Sequence, residues 1–258
     1  MAETRSSLAV VLRWRPYGES DKIATLLTDD FGKLTGIAKG ARRSQRRFPN
    51  SLEPLAGVRV RFRQRPQATL AFLESCELMR PVGSLIEPAK FAYAGYLVEL
   101  VDQLTSDGHP VPELYALLEE GLTTLQTGPA TGGFLRGFEV QLLARAGYEP
   151  RLDSCSGCQD SLQPEATAYL ATAHGTLWCA ACRSSGGATV PVAGGVLPVL
   201  QGLKPLSLDA CRQASLTPVA GEAAEVTGRL LSLHLLRPLR SLKLIAQLAH
   251  GTSSAAAT

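Results

Sequence analysis

The sequence contains no apolar run that approaches the roughly 18 residues required to cross a bilayer, and we therefore expect no membrane span. The first residues, Met1 to Arg5, are not followed by the apolar stretch of a secretory leader, which predicts a cytoplasmic protein. Phosphate-binding glycine loops, zinc-peptidase motifs and serine-hydrolase motifs are also missing. Since the four histidines are scattered outside any such motif, we expect a protein that is not an enzyme.

The composition is that of a folded, globular protein. Hydrophobic residues make up 45% of the 258 residues and charged residues 19%, proportions that exclude wholesale disorder. The length is sufficient to bury a substantial core and predicts either one large domain or a few small ones.

Positive charge is concentrated in the first third of the chain. Residues 1–81 contain 15 Lys and Arg against 8 Asp and Glu, whereas residues 82–258 contain 11 against 15. The net charge of +3 hides this asymmetry. A basic first third favours a polyanionic partner for that part of the chain.

Short apolar segments separated by turn residues dominate residues 1–80. In one of them Val58, Val60 and Phe62 alternate with arginines, so that each set shares one face of a strand. We predict about five strands, at residues 7–14, 23–28, 34–38, 58–63 and 70–74. So many short strands in one small domain favour a closed barrel, and we predict an OB-fold for residues 1–80.

Helical periodicity replaces the strand pattern near Pro81. Ser84 and Glu87 have the spacing of a capping box, which predicts a helix that begins there. Further helices are predicted from apolar spacing, at residues 112–125, 134–146, 220–236 and 239–248. The predicted fold class is therefore α+β with several domains, comprising a helical domain in two parts, an inserted segment and a disordered tail, at residues 81–147, 191–250, 148–190 and 251–258.

Four of the six cysteines form two pairs with the spacing of a zinc site. Each pair has two intervening residues, and twenty residues separate Cys158 from Cys179, which suits a hairpin that brings the pairs together. Four thiolates close a tetrahedral coordination sphere and leave no position for water. We therefore predict one structural Zn²⁺ ion bound by the two pairs, Cys155, Cys158, Cys179 and Cys182.

Other interpretations of the cysteine pairs stay open. Paired cysteines in a cytosolic chain indicate metal more often than disulfides, yet two disulfides, another metal or an empty site are alternatives. His174 is a further ligand candidate, although four cysteines already suffice and a hairpin side chain is the simpler interpretation. The segment carries few cations, which favours bracing of the fold over phosphate binding.

A run of cations follows the third predicted strand. Residues 39–48 carry five positive charges and no acid, and Gly40 with its polar neighbours predicts a loop. Phosphate contact needs charge density more than fixed geometry, so this loop is a candidate contact for the backbone phosphates of a nucleic acid, formed by Lys39, Arg42, Arg43, Arg46 and Arg47. The alternative is a solvated charge run without a ligand.

A second basic feature is the row of arginines on the fourth predicted strand and just after it. Like charges on one strand face repel each other, and a face without alternating acids favours a bound anion. We name as candidates Arg59, Arg61, Arg63 and Arg65, and the alternative is an exposed barrel surface without a ligand. Among the aromatic residues of the barrel, Tyr17 and Phe48 are the best candidates for exposure and hence for base stacking.

The order and wording of the motifs resemble the RecO family of bacterial recombination mediators, in its zinc-bearing members. The first cysteine pair completes a succession of short motifs, Tyr17-Gly18-Glu19-Ser20-Asp21-Lys22-Ile23, Leu26-Leu27-Thr28, Phe31-Gly32, Ala38-Lys39-Gly40-Ala41-Arg42-Arg43, Leu52-Glu53-Pro54, Phe138-Glu139-Val140-Gln141-Leu142-Leu143 and Gly147-Tyr148-Glu149-Pro150. The resemblance implies an N-terminal OB-fold, a helical domain and a zinc-finger insert.

The resemblance also implies a function and partners. Family members bind single- and double-stranded DNA, anneal complementary strands and, with RecR and RecF, load RecA onto DNA coated by single-strand-binding protein, in the cytoplasm at the nucleoid. The matched basic motif carries DNA contact over to Lys39, Arg42 and Arg43. In some members the acidic tail of single-strand-binding protein docks on the helical domain, where Arg136 is the candidate here.

Two rival functions follow from the residues. A non-catalytic scaffold whose barrel binds RNA or protein in transcription or translation is one, and competition of DNA against RNA separates it from DNA repair. A zinc hydrolase is the other, against which a closed four-thiolate site argues.

Overall fold

The computed structural model of the protein describes residues 3–44, 46–65 and 67–247. The chain forms two compact units, of which the first comprises Met1–Pro129 with Leu239–Thr258 and the second Ala130–Pro238. The predicted disordered tail at 251–258 and the end of the helix predicted at 239–248 lie outside the described residues.

A closed five-stranded barrel forms the beginning of the first unit and confirms the predicted OB-fold. Its strands follow the order β1-β2-β3-β5-β4 around the barrel and are β1 (Thr4–Tyr17), β2 (Asp21–Thr28), β3 (Gly32–Ala38), β4 (Gly57–Arg63) and β5 (Ala71–Arg80). Burial alternates along β4 as predicted, with Val58, Val60 and Phe62 inside and the arginines outside.

The barrel closes where β3 meets β5 in parallel over two residue pairs, Gly36 with Ala71 and Ile37 with Phe72. A Cβ atom at Gly36 would lie 2.5 Å from the side chain of Leu73, a fully buried core residue. Glycine therefore permits the close approach of the two strands at the seam.

Two helices complete the described part of Met1–Pro129. A 3-10 turn at Gly83–Ile86 precedes α1 (Pro88–Leu104), and α2 is Pro112–Thr127. The capping box predicted at Ser84 is therefore wrong, because proline at the first helical position sets the start of α1 and Glu87 becomes its N-cap residue.

Ion pairs and hydrogen bonds fasten these elements to one another. Asp102 of α1 accepts hydrogen bonds from Arg13 of β1 and from Lys33 of β3. The Glu99 carboxylate of α1 accepts hydrogen bonds from the backbone amides of Arg240 and Ser241, each at 2.9 Å. It therefore caps a helical stretch at 241–247. Burial alone would raise the pKa of Glu99, but the Ser241 hydroxyl and the two amides lower it.

The second unit consists of helices and a small sheet. Its helices are α3 (Gly132–Arg145), α4 (Val196–Leu203), α5 (Leu208–Gln213) and α6 (Ala220–Ser232), and its strands are β6 (Ala168–Ala171), β7 (Leu177–Trp178) and β8 (Thr189–Val192), which pair in the order β7-β6-β8. A Cβ atom at Gly133 would lie 2.2 Å from the carbonyl oxygen of Cys211. This glycine therefore lets α3 contact α5 closely.

Within the described ranges, none of the helices combines the length and the apolar character that a bilayer crossing requires.

Candidate nucleic-acid interface and metal centre

The basic loop, residues 39–44 and 46–47 after β3, is held against the β1–β2 turn. The Gly40 amide donates to Oδ1 of Asp21 at 2.8 Å, and the Arg42 amide donates to the carbonyl oxygen of Ser20 at 3.0 Å. Gly40 has a φ of 67°, a conformation that glycine adopts without strain. The fold thus fixes the base of the loop while the cationic side chains project from it.

The five cations of the basic loop are exposed to solvent, namely Lys39, Arg42, Arg43, Arg46 and Arg47. Arg42 donates to the carbonyl oxygen of Glu19 at 3.1 Å, and Arg47 donates to that of Lys39 at 2.7 Å. Over the part of the chain that the structure describes, none of the five forms an ion pair with a carboxylate. Their charge is therefore available to an external anion.

Asp21 is the anchor of this loop and offers a test of it. The Gly40 amide, followed by the Ser20 hydroxyl, lowers the pKa of Asp21, so the carboxylate is ionised at neutral pH. Asp21→Ala removes the acceptor for Gly40, and we expect trypsin to cleave the loop severalfold faster because it opens more often. Limited proteolysis followed by mass spectrometry measures this rate.

Glu19→Ala is the matched control, since Glu19 lies in the same turn and reaches the loop through its main-chain oxygen. This variant loses the same charge but keeps the acceptor, and its cleavage rate should stay near that of the parent protein. Equal rates for Asp21→Ala and the parent would show that Asp21 does not hold the loop.

Of the two aromatic residues predicted to be exposed on the barrel, one is exposed and the other is buried. Tyr17 is 52% exposed, as predicted, at the end of β1. Phe48 is only 4% exposed and belongs to the barrel core, so its predicted exposure is wrong. The Phe48 ring turns inward and Arg47 lies over it, 5.4 Å from the ring centroid.

The arginine row on β4, unlike the basic loop, has acidic residues close to its charges. Arg59, Arg61, Arg63 and Arg65 are exposed, but β5 brings acids beside them. Arg63 Nε lies 2.6 Å from Oε1 of Glu74, and Arg59 stands opposite Glu77 in the strand register. The expectation of a face without acids is therefore wrong for the barrel, although DNA contact by these arginines stays a prediction.

The register of β1 also separates the far end of the arginine row from the basic loop. Arg63 pairs with Thr4 at the start of β1, whereas the loop contacts the turn that follows Tyr17. Ten residues of β1 separate Thr4 from Trp14, which lies near that turn, and ten residues of extended chain span about 33 Å. The Arg63 end of the row and the basic loop therefore lie near opposite ends of β1.

A cleft of about 660 Å³ lies between the β1–β2 hairpin and the basic loop. Its walls include Trp14 and Lys22 from the hairpin, and Arg42 and Arg43 from the loop. Trp14 and Lys22 were not among the site residues predicted from the sequence. The Tyr17–Asp21 turn signal contained the information. The hairpin register that it sets pairs Trp14 with Ala24 and places Lys22 two positions before Ala24, on the same face of the strand.

Arg136 is placed in α3, in the second unit. Its guanidinium pairs with Oε1 of Glu139 one turn later, and the Arg136 side chain is only 12% exposed. The neighbouring Phe134 and Phe138 are fully buried. Arg136 offers little surface to a partner, and its role in partner binding stays a prediction.

The four paired cysteines meet in the second unit, as the spacing predicts. Their sulfur atoms, those of Cys155, Cys158, Cys179 and Cys182, all lie within 4.8 Å of one another. The Cys158 and Cys179 sulfur atoms are 4.0 Å apart. Tetrahedral zinc with Zn–S bonds near 2.3 Å requires sulfur atoms about 3.8 Å apart, so the cluster has the dimensions of a four-thiolate metal site.

Backbone amides favour negative charge on one thiol of this cluster, that of Cys155. The amides of Cys179 and Gly157 donate to Sγ of Cys155 at 3.3 and 3.4 Å. Desolvation opposes ionisation, but the amides of Cys179, Cys158 and Gly157 lower the pKa of Cys155 to about 6. The hydrogen bond with Cys179, followed by burial, raises the pKa of Cys182. A bound cation would favour ionisation of the adjacent thiols.

The elements around the cluster are short and depend on close packing. A Cβ atom at Gly157 would lie 2.9 Å from the Trp178 ring, and one at Gly186 would lie 2.7 Å from its Nε1 atom. Arg183, a cation of this segment, lies over the Tyr169 ring, 4.9 Å from its centroid. His174 is exposed in the turn between β6 and β7 and is not among the clustered ligands.

Comparison with known proteins covers nearly the whole chain. The family model described as Recombination protein O N terminal matches residues 1–82, and the one described as Recombination protein O C terminal matches residues 87–243. The curated relatives include proteins named DNA repair protein RecO. The one from Anaeromyxobacter sp. (strain K) is 39% identical over 232 residues, 89% of this chain and 91% of the relative.

Two further relatives with the same name extend the match. The protein of Myxococcus xanthus is 38% identical over 246 residues, 93% of this chain and 96% of the relative, and that of Syntrophus aciditrophicus is 35% identical over 251 residues, 94% and 95% of the two chains. With the OB-fold barrel and the four-cysteine cluster in place, these matches show that the chain belongs to the RecO family of DNA repair proteins.

Proposed function

We propose that the protein is a DNA-binding recombination mediator that acts without catalysing a covalent reaction. It binds single- and double-stranded DNA, promotes annealing of complementary strands and, with RecR and RecF, assists the loading of RecA onto DNA coated by single-strand-binding protein. The observation that carries the proposal is the basic loop, whose five exposed cations lack carboxylate partners among the described residues.

The mechanism of annealing that we propose is electrostatic. Two complementary strands repel each other through their phosphates, and pairing of bases begins only when the strands approach. Guanidinium and ammonium groups of the basic loop displace the counterions of the phosphates and reduce that repulsion. The cations project from a loop with a fixed base, so they hold the backbones and leave base edges free to pair.

Salt dependence and annealing test the proposal together. If the five cations each neutralise one phosphate of a single strand, the logarithm of affinity falls against the logarithm of salt concentration with a slope of about −3.5. Between 50 and 200 mM salt the affinity then falls about 100-fold. Fluorescence anisotropy with a labelled oligonucleotide measures the slope.

Annealing of two complementary oligonucleotides, followed with and without RecR, measures the proposed activity. We expect the protein alone to accelerate annealing and excess salt to abolish the acceleration. A flat salt profile, or an annealing rate equal to that of free strands, would contradict the proposal. An RNA competitor that displaces DNA at equal concentration would favour the scaffold hypothesis instead.

We further propose that the metal is one structural Zn²⁺ ion held by Cys155, Cys158, Cys179 and Cys182. Four thiolates suit zinc and fill its coordination sphere. When bound, the ion cross-links the two cysteine pairs. The chain's own contribution is the amide donors to Cys155, which stabilise thiolate charge before and after the ion binds.

A further inference from the structure

We propose that the cleft between the β1–β2 hairpin and the basic loop receives the base of an unpaired nucleotide, which stacks on Trp14 while Arg42 and Arg43 hold the adjacent phosphates. This inference rests on the proposed function, because it names a subsite within the proposed DNA-binding surface. The cleft volume of about 660 Å³ lies in the range of sites that hold small organic groups, about 300–1,000 Å³.

Trp14 is the feature that points to a base. The ring is half-buried and packs partly against the barrel core, so its orientation is fixed by the fold. It also lines the cleft and is more exposed than Phe48, a second lining residue whose exposure is only 4%. An indole held in this way is a stacking platform, and stacking is tolerant of sequence because every base has a π face.

The group that covers Trp14 in the structure is a displaceable one. The ammonium nitrogen of Lys22 lies 3.9 Å from the centroid of the Trp14 ring and 3.3 Å from Oε1 of Glu53. Its flexible stem lets the ammonium leave the ring for a phosphate when a base arrives. The exchange replaces the cation–π contact of Lys22, whose side chain is 13% exposed, with base stacking and with a contact between its ammonium and a phosphate.

The surroundings fit a nucleotide rather than an apolar ligand. Arg42 and Arg43 line the same cleft as Trp14, which places phosphate-binding groups beside the ring. Asn50 and Glu53 at its wall add hydrogen-bonding groups for a base edge. A base inside a duplex is already stacked on its neighbours, so this subsite selects single strands.

The two tryptophans of the chain allow a direct test. Trp178→Phe leaves Trp14 as the only tryptophan. In this variant we expect a thymidine oligonucleotide to quench Trp14 emission, with the same midpoint as the anisotropy of a labelled copy. We also expect it to bind about tenfold tighter than an abasic oligonucleotide with the same number of phosphates, because the abasic strand has no base to stack.

Variants at Trp14 complete the test. Trp14→Ala should bring the two affinities together, while Trp14→Phe keeps a smaller ring and should retain part of the difference. Far-UV circular dichroism checks that each variant is folded. If anisotropy reports binding while Trp14 emission is unchanged, or if both oligonucleotides bind equally, the inference is wrong and the proposed function stands. If neither oligonucleotide binds, both fail.

Discussion

Replacing Cys155 and Cys179 with serine will reduce the metal content from one equivalent to none and unfold the segment around the cluster. One ligand is lost from each pair, so neither pair retains two thiolates. Metal binding contributes about 10–16 kcal/mol to the folding of small four-ligand zinc modules. Strands β6, β7 and β8 span only two to four residues each and have no comparable source of stability within the segment.

Metal analysis and limited proteolysis measure the two effects. The double variant should be cut between residues 148 and 190, whereas the parent protein resists until a chelator is added. Acid should have the same effect as the chelator, because protonation of the thiolates releases the ion. Binding of DNA by the barrel should change by less than about threefold, since the basic loop lies in the other unit.

Cys76→Ala is the control for loss of a thiol. Cys76 lies in the barrel core, where burial raises its pKa to about 12, and it belongs to the other unit and not to the cysteine cluster. This variant should keep its metal and its resistance to protease in the segment. A double variant that retains metal, or that resists protease without it, would show that the cluster does not brace the segment.

The barrel was predictable from local patterns, and its electrostatics were not. Alternation along residues 58–63 identified β4 and its two faces, because side-chain direction in a strand depends on sequence parity alone. The acids beside the arginine row come from β5, and the register that pairs Arg59 with Glu77 depends on contacts across the barrel. Local sequence contains no record of that register.

The site was predicted in part for the same reason. The cations of the basic loop are contiguous in the sequence, and the spacing of the cysteines predicts that their sulfur atoms meet. Both features could therefore be identified from the sequence. The cleft joins Trp14, Lys22 and the loop across separate elements, and only the folded hairpin brings them together. The exposure of Phe48 was predicted wrongly because its sequence neighbours are polar. In the fold the chain turns inward after Arg47, and the Phe48 ring enters the barrel core.

Reversing the charge of Lys39, Arg42 and Arg43 to glutamate will lower the affinity for single-stranded DNA by 100-fold or more. At about 0.1 M salt each neutralised phosphate contributes about fivefold to affinity, so the loss of three contacts gives about 100-fold, and the introduced repulsion adds to it. The side chains are exposed, and the free energy of unfolding should change by less than about 1 kcal/mol. Anisotropy and thermal unfolding measure the two quantities.

Reversal of Arg59, Arg61 and Arg63 to glutamate is the matched control, because it changes the net charge of the same barrel by the same amount. Arg63 is already paired with Glu74, and Arg59 faces Glu77, so these arginines have less charge to offer a phosphate. We expect a loss below about tenfold from the reduced field of the barrel. If this variant loses as much affinity as the loop variant, the DNA lies along β4, and the basic loop is not the principal contact.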